Sequence, residues 1–202
     1  MTKSANHNNN SNKSMTIPER LPRMIVFDLD YTIWPEWIDC TYGPPYAYDK
    51  VANRIENKYG EQLMLFKHIT AIFTLIRSFK DVKIAIASRT GAPEWALNAL
   101  TLLRVPELGN TTLRENIDFM EIYPTSKLRH FTALSEKSGI ACKDMLFFDD
   151  ERRNAEVKTL GVHFVHVDAR AGVTMNVFYE ALAAFDRQAR YKQTSMRQFL
   201  NA

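Results

Sequence analysis

The chain has 202 residues, enough for one hydrophobic core of ordinary domain size. Hydrophobic residues make up 46% and charged residues 24%, an ordinary globular composition that excludes a chain disordered throughout. The net charge of +3 is too small to argue for nucleic-acid binding, and no apolar run approaches the roughly 18 residues that span a bilayer.

In chain order, Met1 to Ser14 is rich in Asn, Ser and Lys and lacks the apolar core of a leader. That composition predicts a disordered tail over residues 1–20, with a folded domain over 21–190. Met24-Ile25-Val26-Phe27 is an apolar run bounded by polar residues, the pattern of a buried parallel strand. Asp28-Leu29-Asp30-Tyr31-Thr32 follows it directly, and then an aromatic loop, Trp34-Pro35-Glu36-Trp37-Ile38. Gly43-Pro44-Pro45 interrupts regular structure. Val51 to Ile55 and Gln62 to Phe66 flank Asn57-Lys58-Tyr59-Gly60, which predicts a hairpin inside an insertion near 35–66.

Ile69, Ile72, Phe73 and Ile76 recur at helical spacing between Lys67 and Phe79. Val82 to Ala87 is a second buried strand, stopping at Ser88-Arg89-Thr90. Thr90 or Gly91 can cap the next helix, with Pro93 in its first turn and an end near Arg104. Asp118 to Ile122 is a third strand. Ser126 can cap a helix from Lys127 to about Lys137, ended by Gly139. Met145 to Phe148 is a fourth strand, met at once by Asp149-Asp150-Glu151. A helix from about Arg153 to Leu160, a fifth strand over Phe164 to Val167 and a helix from Thr174 to about Ala189 complete the domain. Residues 191–202 are polar and predict a fraying tail.

Strands alternating with helices imply βαβ units. The expected fold class is therefore α/β, a three-layer, doubly wound and mostly parallel sheet. Such a sheet brings the carboxyl ends of its strands to one edge, where ligands bind. Asp28 and Asp30, Ser88 and Arg89, Lys127, and Asp149 and Asp150 would all meet there. Two close carboxylates repel, so they need a cation, a shared proton or intervening water, and Mg²⁺ suits an all-oxygen set. A hydroxyl and an ammonium suit a bound phosphate. Each feature also has a plainer meaning: Ser88 as a helix cap, Lys127 as a solvated lysine, Asp149 to Glu151 as an acidic first helical turn. Cys40 and Cys142 are too few for a disulfide framework and predict reduced thiols in a cytoplasmic or nuclear setting. The five histidines show no metal-ligand spacing, and no Gly-rich nucleotide loop is present.

Taken together, Asp-x-Asp-x-Thr, then Ser, then Lys, then Asp-Asp resembles the signature of the haloacid dehalogenase-like hydrolases. The longer stretches Phe-Asp-Leu-Asp-Tyr-Thr-Ile-Trp-Pro, Ala-Ser-Arg-Thr and Phe-Phe-Asp-Asp-Glu-Arg-Arg-Asn resemble the magnesium-dependent phosphatase family among them. The resemblance implies that Asp28 is the nucleophile and Asp30 the general acid and base. It implies Mg²⁺ held by Asp28, by the main-chain carbonyl of Asp30 and by Asp150, with Asp149 standing behind the ion. Ser88 would bind a phosphoryl oxygen, and Lys127 would sit between that oxygen and Asp28. Trp37 and Arg89 would lie at the mouth. A cap reduced to loops would leave the site open to a phosphoprotein residue such as phosphotyrosine, or to a small sugar phosphate. The expected activity is a Mg²⁺-dependent phosphomonoesterase with an aspartyl-phosphate intermediate. A phosphotransferase and a non-catalytic phosphate-binding module are the alternatives. A monomer with a phosphorylated substrate, and with no nucleic-acid or membrane partner, is the simplest expectation.

Overall fold

The computed structural model describes residues 16–200, with side chains to residue 191. Ten strands and four α-helices follow in chain order. They are β1 Met24–Phe27, β2 Tyr46–Asp49, β3 Arg54–Asn57, β4 Gln62–Met64, α1 Ile69–Ser78, β5 Lys83–Ser88 and α2 Pro93–Leu102. Then come β6 Arg104–Val105, β7 Thr111–Thr112, β8 Phe119–Ile122, α3 Lys127–Ser138, β9 Met145–Asp149, β10 His163–His166 and α4 Met175–Leu200.

Five of the strands form one sheet in the order β10-β9-β1-β5-β8, and every pair is parallel. Side chains alternate across the sheet, so each strand feeds two cores. Ile25 and Phe27 face one layer with α1, α2 and α4, where Phe27 stacks at 5.5 Å on Phe73 and at 5.4 Å on Phe148. Met24 and Val26 face the other layer, where Phe131 of α3 meets Phe147 at 4.8 Å. A strand buried on both faces has no polar alternation, which is why β1, β5 and β9 are legible as continuous apolar runs. The architecture is the expected three-layer α/β fold.

The register places the chemistry. Phe27 pairs with Ile86 of β5 and with Phe148 of β9. The next residues, Asp28, Ala87 and Asp149, therefore lie side by side. The chain crosses from β8 back over β1 to β9, and the crevice at that reversal is where an open α/β sheet binds its ligand.

The insertion is more ordered than a hairpin. β2, β3 and β4 form a three-stranded antiparallel sheet. Val51 to Asn53, expected as strand, instead makes the turn between β2 and β3, with the Asp49 carboxylate accepting the amides of Val51 and Ala52. β6 and β7 add a two-stranded ribbon that no periodicity announces, being two residues each. Ala92, not Thr90 or Gly91, stands at the start of α2, although the Thr90 hydroxyl accepts the Ala92 amide. Ser126 does precede α3, without a capping side-chain bond, and Gly139 ends that helix in the left-handed conformation. The segment after β9 is a 3-10 helix, Arg152–Leu160, whose buried residues Asn154 and Val157 are three apart, matching three residues per turn.

α4 runs to Leu200, past the expected end near Ala189, because no Gly or Pro stops it. At the other end, residues 16–20 are not a free tail: Glu19 pairs with Arg190 and Arg20 with Asp144. Residues 1–15 of the expected tail lie outside the described residues. Cys40 and Cys142 are free thiols. Among the described residues, no helix is long and apolar enough to cross a membrane.

Candidate active site

Asp28 continues β1 by donating its amide to the Phe148 carbonyl at 3.0 Å. The chain then turns sharply, with the amides of Ile33 and Trp34 returning to the Leu29 carbonyl. Tyr31 carries the turn at φ +53°, in the left-handed region that side chains disfavour. This turn undoes the alternation of a strand. Asp28 and Asp30, which would point to opposite faces, both line one cleft with Ser88, Lys127 and Asp150.

Lys127, on the first turn of α3, is fully buried. Its ammonium donates to Asp28 Oδ1 at 2.5 Å, to the Ala87 carbonyl, and pairs with Asp149 Oδ2 at 2.9 Å. Burial alone would lower its pKa, but Asp28 and Asp149 outweigh burial and hold it above the ordinary value. Burial pushes the Asp28 carboxyl well above the usual range, Lys127 pulls it back, and Asp149 and Asp30 push it further up. One ammonium thus faces more carboxylate charge than it neutralises.

Asp149 is saturated. Glu151 donates its amide to Oδ1 at 2.7 Å, and the Asn154 side-chain amide reaches Oδ1 at 2.9 Å and Oδ2 at 2.8 Å. With Lys127 on Oδ2, its lone pairs are spoken for. Asp150 faces the cleft, its carboxylate met by its own main-chain amide. Burial, then the neighbouring Asp149, raises its pKa to about 6. Asp28, Asp149 and Asp150 can each bring a carboxylate oxygen within 4.8 Å of the others, close enough for one ion. The donor set fits a hard divalent cation on two grounds: it is all oxygen, and its carboxyls crowd more negative charge than Lys127 neutralises.

The Asp30 carboxylate stands apart from that cluster. Its Oδ1 accepts the Trp34 indole N–H at 2.7 Å and the Ile38 amide at 3.3 Å. Burial raises its pKa to about 6, and the Trp34 bond restrains the rise. A carboxyl poised there can give and take a proton near neutral pH.

Ser88 is buried at the end of β5, its Oγ accepting the Thr90 amide at 3.3 Å. Arg89 lines the cleft and donates to Asn154 Oδ1 at 3.2 Å, a partner that is an amide rather than a helix acid. Trp37 is half exposed at the mouth and meets the Tyr31 ring edge-on at 5.3 Å. The cleft therefore collects all the residues singled out from the sequence except Asp149, which is buried behind it.

Sequence reasoning missed the supports: Trp34 under Asp30, Asn154 under Asp149, and Asp39, whose Oδ2 accepts the Gly91 amide at 2.9 Å and ties the insertion to the loop after β5. Asn154 lies inside the Phe-Phe-Asp-Asp-Glu-Arg-Arg-Asn stretch, so its presence was visible although its partners were not.

Comparison with known proteins shows the family. Residues 20–188 match the family described as Acid Phosphatase. The chain belongs to that family. A haloacid dehalogenase-like hydrolase superfamily protein of Schizosaccharomyces pombe is 42% identical over 148 residues, covering 71% of this chain and 84% of the relative. Human magnesium-dependent phosphatase 1 is 35% identical over 167 residues, covering 82% of this chain and 88% of the relative. Among solved structures, the Mg-complexed phosphatase domain of a Bacteroides fragilis protein superposes with a TM-score of 0.56 at 20% identity. That match covers 81% of this chain and 40% of the other, and it speaks to the fold. Family and fold together place the chain among the haloacid dehalogenase-like hydrolases, as the motifs suggested.

Proposed function

We propose that the chain is a Mg²⁺-dependent phosphomonoesterase that transfers the phosphoryl group to Asp28 and then to water. The observation that carries this reading is the pairing of two unlike carboxylates in one cleft. Asp28 is held by Lys127 at 2.5 Å, while Asp30 sits on Trp34 with its pKa near 6. Two carboxyl groups in unlike environments suit the separate tasks of nucleophile and acid.

In the first step an Asp28 oxygen attacks phosphorus as the ester P–O bond breaks, and Asp30 hands its proton to the leaving oxygen. In the second, Asp30 takes a proton from water as that water attacks the aspartyl-phosphate. The P–O bond to Asp28 then breaks and inorganic phosphate leaves. The Ser88 hydroxyl donates to a phosphoryl oxygen, and Arg89 adds charge at the mouth. Asp28 and Asp150, with the main chain at Asp30, would hold Mg²⁺, which neutralises the carboxylates and the phosphoryl oxygens. The names of the curated relatives support that metal for this chain. Phosphoryl transfer depends on positioning and electrostatics more than on new covalent chemistry, and this cleft offers both.

The substrate we favour is an exposed phosphotyrosine or a small sugar phosphate. Support comes from the small three-stranded insertion and the exposed Trp37 face, which leave the cleft open. Hydrolysis of a panel of phosphotyrosine peptides and sugar phosphates tests the substrate. Acid quenching during turnover tests the intermediate. One phosphoryl group found on Asp28 is expected, and its absence under substrate saturation, with turnover intact, contradicts the covalent route.

A further inference from the structure

Asn154 is almost wholly buried beneath the cleft, yet its side chain makes contacts on two sides. Its Nδ2 donates to both oxygens of Asp149 and reaches Glu151 Oε2 at 3.2 Å. Its Oδ1 accepts from Arg89 Nη1 at 3.2 Å. Arg89 follows β5, Asp149 ends β9, and Asn154 lies in the 3-10 helix after β9. One amide therefore joins two loops that β1 separates in the sheet.

An uncharged amide suits both partners at once. Asp149 needs a donor and Arg89 needs an acceptor, and an amide offers both in fixed geometry. A carboxylate at 154 would leave Asp149 facing a like charge, and a lysine would repel Arg89. The chain of contacts runs from Arg89 through Asn154 to Asp149, then through Lys127 to Asp28.

We propose that Asn154 is a positioning residue that sets the Arg89 guanidinium for the incoming phosphate while locking Asp149 behind the metal site. It touches neither phosphate nor metal. It acts by holding Arg89 at the cleft wall and by occupying Asp149, so that of the two adjacent carboxylates Asp150 is the one that faces the cleft. This assignment rests on the phosphatase reading above for its purpose, but its geometry can be tested without turnover.

The test is calorimetric titration of inorganic phosphate into the Mg²⁺-loaded full chain, as a double-mutant cycle of Arg89→Ala and Asn154→Leu. Leucine keeps the branched shape and removes both amide functions. Each single variant is expected to weaken phosphate binding by about three- to tenfold, in the range of one ordinary hydrogen bond. The double variant is expected to bind within about twofold of Asn154→Leu alone, since an unheld Arg89 has little left to lose. Asn154→Asp keeps the acceptor for Arg89. In that background Arg89→Ala should again weaken phosphate binding by its full wild-type factor, and this variant serves if Asn154→Leu does not melt cooperatively. Effects that multiply in the double variant, or phosphate binding unchanged in Asn154→Leu, overturn the assignment. Wild type that binds phosphate but releases none from p-nitrophenyl phosphate would instead count against the phosphatase reading and leave the cycle readable.

Discussion

Lys127 places its ammonium 2.5 Å from Asp28 Oδ1 in a site where neither side chain is more than 11% exposed, and the same nitrogen lies 2.9 Å from Asp149. One buried cation therefore holds two buried anions. Removing it strands both. Lys127→Met should destabilise the fold by about 3–5 kcal/mol, the usual result of breaking a buried pair from one side. It should also abolish turnover. A urea midpoint that barely moves would show that Asp28 and Asp149 find other compensation.

The metal site should reverse the sign of a charge deletion. Asp150 titrates near 6 in the folded chain against an ordinary 3.8, so the fold holds its proton more tightly than the unfolded chain does. Its stabilising contribution is full below about pH 3.8 and is lost as pH rises through about 6. In EDTA at about pH 7.5, Asp150→Asn should therefore melt above wild type, and the gap should close as pH falls. Burial depresses His130 to about 4, an opposite dependence that is common to both proteins and cancels in the difference. With saturating Mg²⁺ the order should invert, because only wild type gains the ion's binding energy. Melting curves with and without EDTA check both halves.

Much of this site is legible in the amino-acid sequence. β1, β5 and β9 are buried on both faces, so their sequences lack polar alternation and stand out. Their polar ends fall at one sheet edge as a matter of topology, which is enough to gather Asp28, Ser88 and Asp149. What stayed hidden depends on long-range pairing or on short elements. β2 follows Pro44-Pro45 and is only half buried, so it carries no alternation strong enough to announce a strand. Asn154 looks like an ordinary polar residue after a turn, and its value lies in partners 65 residues away in Arg89 and five away in Asp149.

Trp34 offers a way to tune the general acid without touching it. Its indole N–H bond at 2.7 Å favours the ionised form of Asp30 and restrains a pKa that burial lifts to about 6. Trp34→Phe removes that donor and keeps most of the buried ring. The Asp30 pKa should rise by up to about one unit. The alkaline limb of kcat/KM, where the acid form is lost, should move up with it. A profile that shifts down, or stays still, would remove Asp30 from the acid role.

The loop that carries Asp30 is braced by a close approach at Gly172. The neighbouring Val173 amide donates to the Thr32 carbonyl at 3.2 Å, and a Cβ on Gly172 would lie 2.2 Å from the Phe66 ring at a φ of +58°. Gly172→Ala should cost about 2–4 kcal/mol through strain and overpacking. Its denaturation midpoint tests this, and a loss under about 0.5 kcal/mol would mean that Phe66 yields freely.

The most direct test of the account is release of phosphate from p-nitrophenyl phosphate by wild type in Mg²⁺, by wild type in EDTA, and by folded Asp28→Asn in Mg²⁺. The account predicts turnover in the first alone, with Asp28→Asn at background because the nucleophile is gone while the volume remains. Full turnover by Asp28→Asn, or turnover undiminished in EDTA, would contradict it.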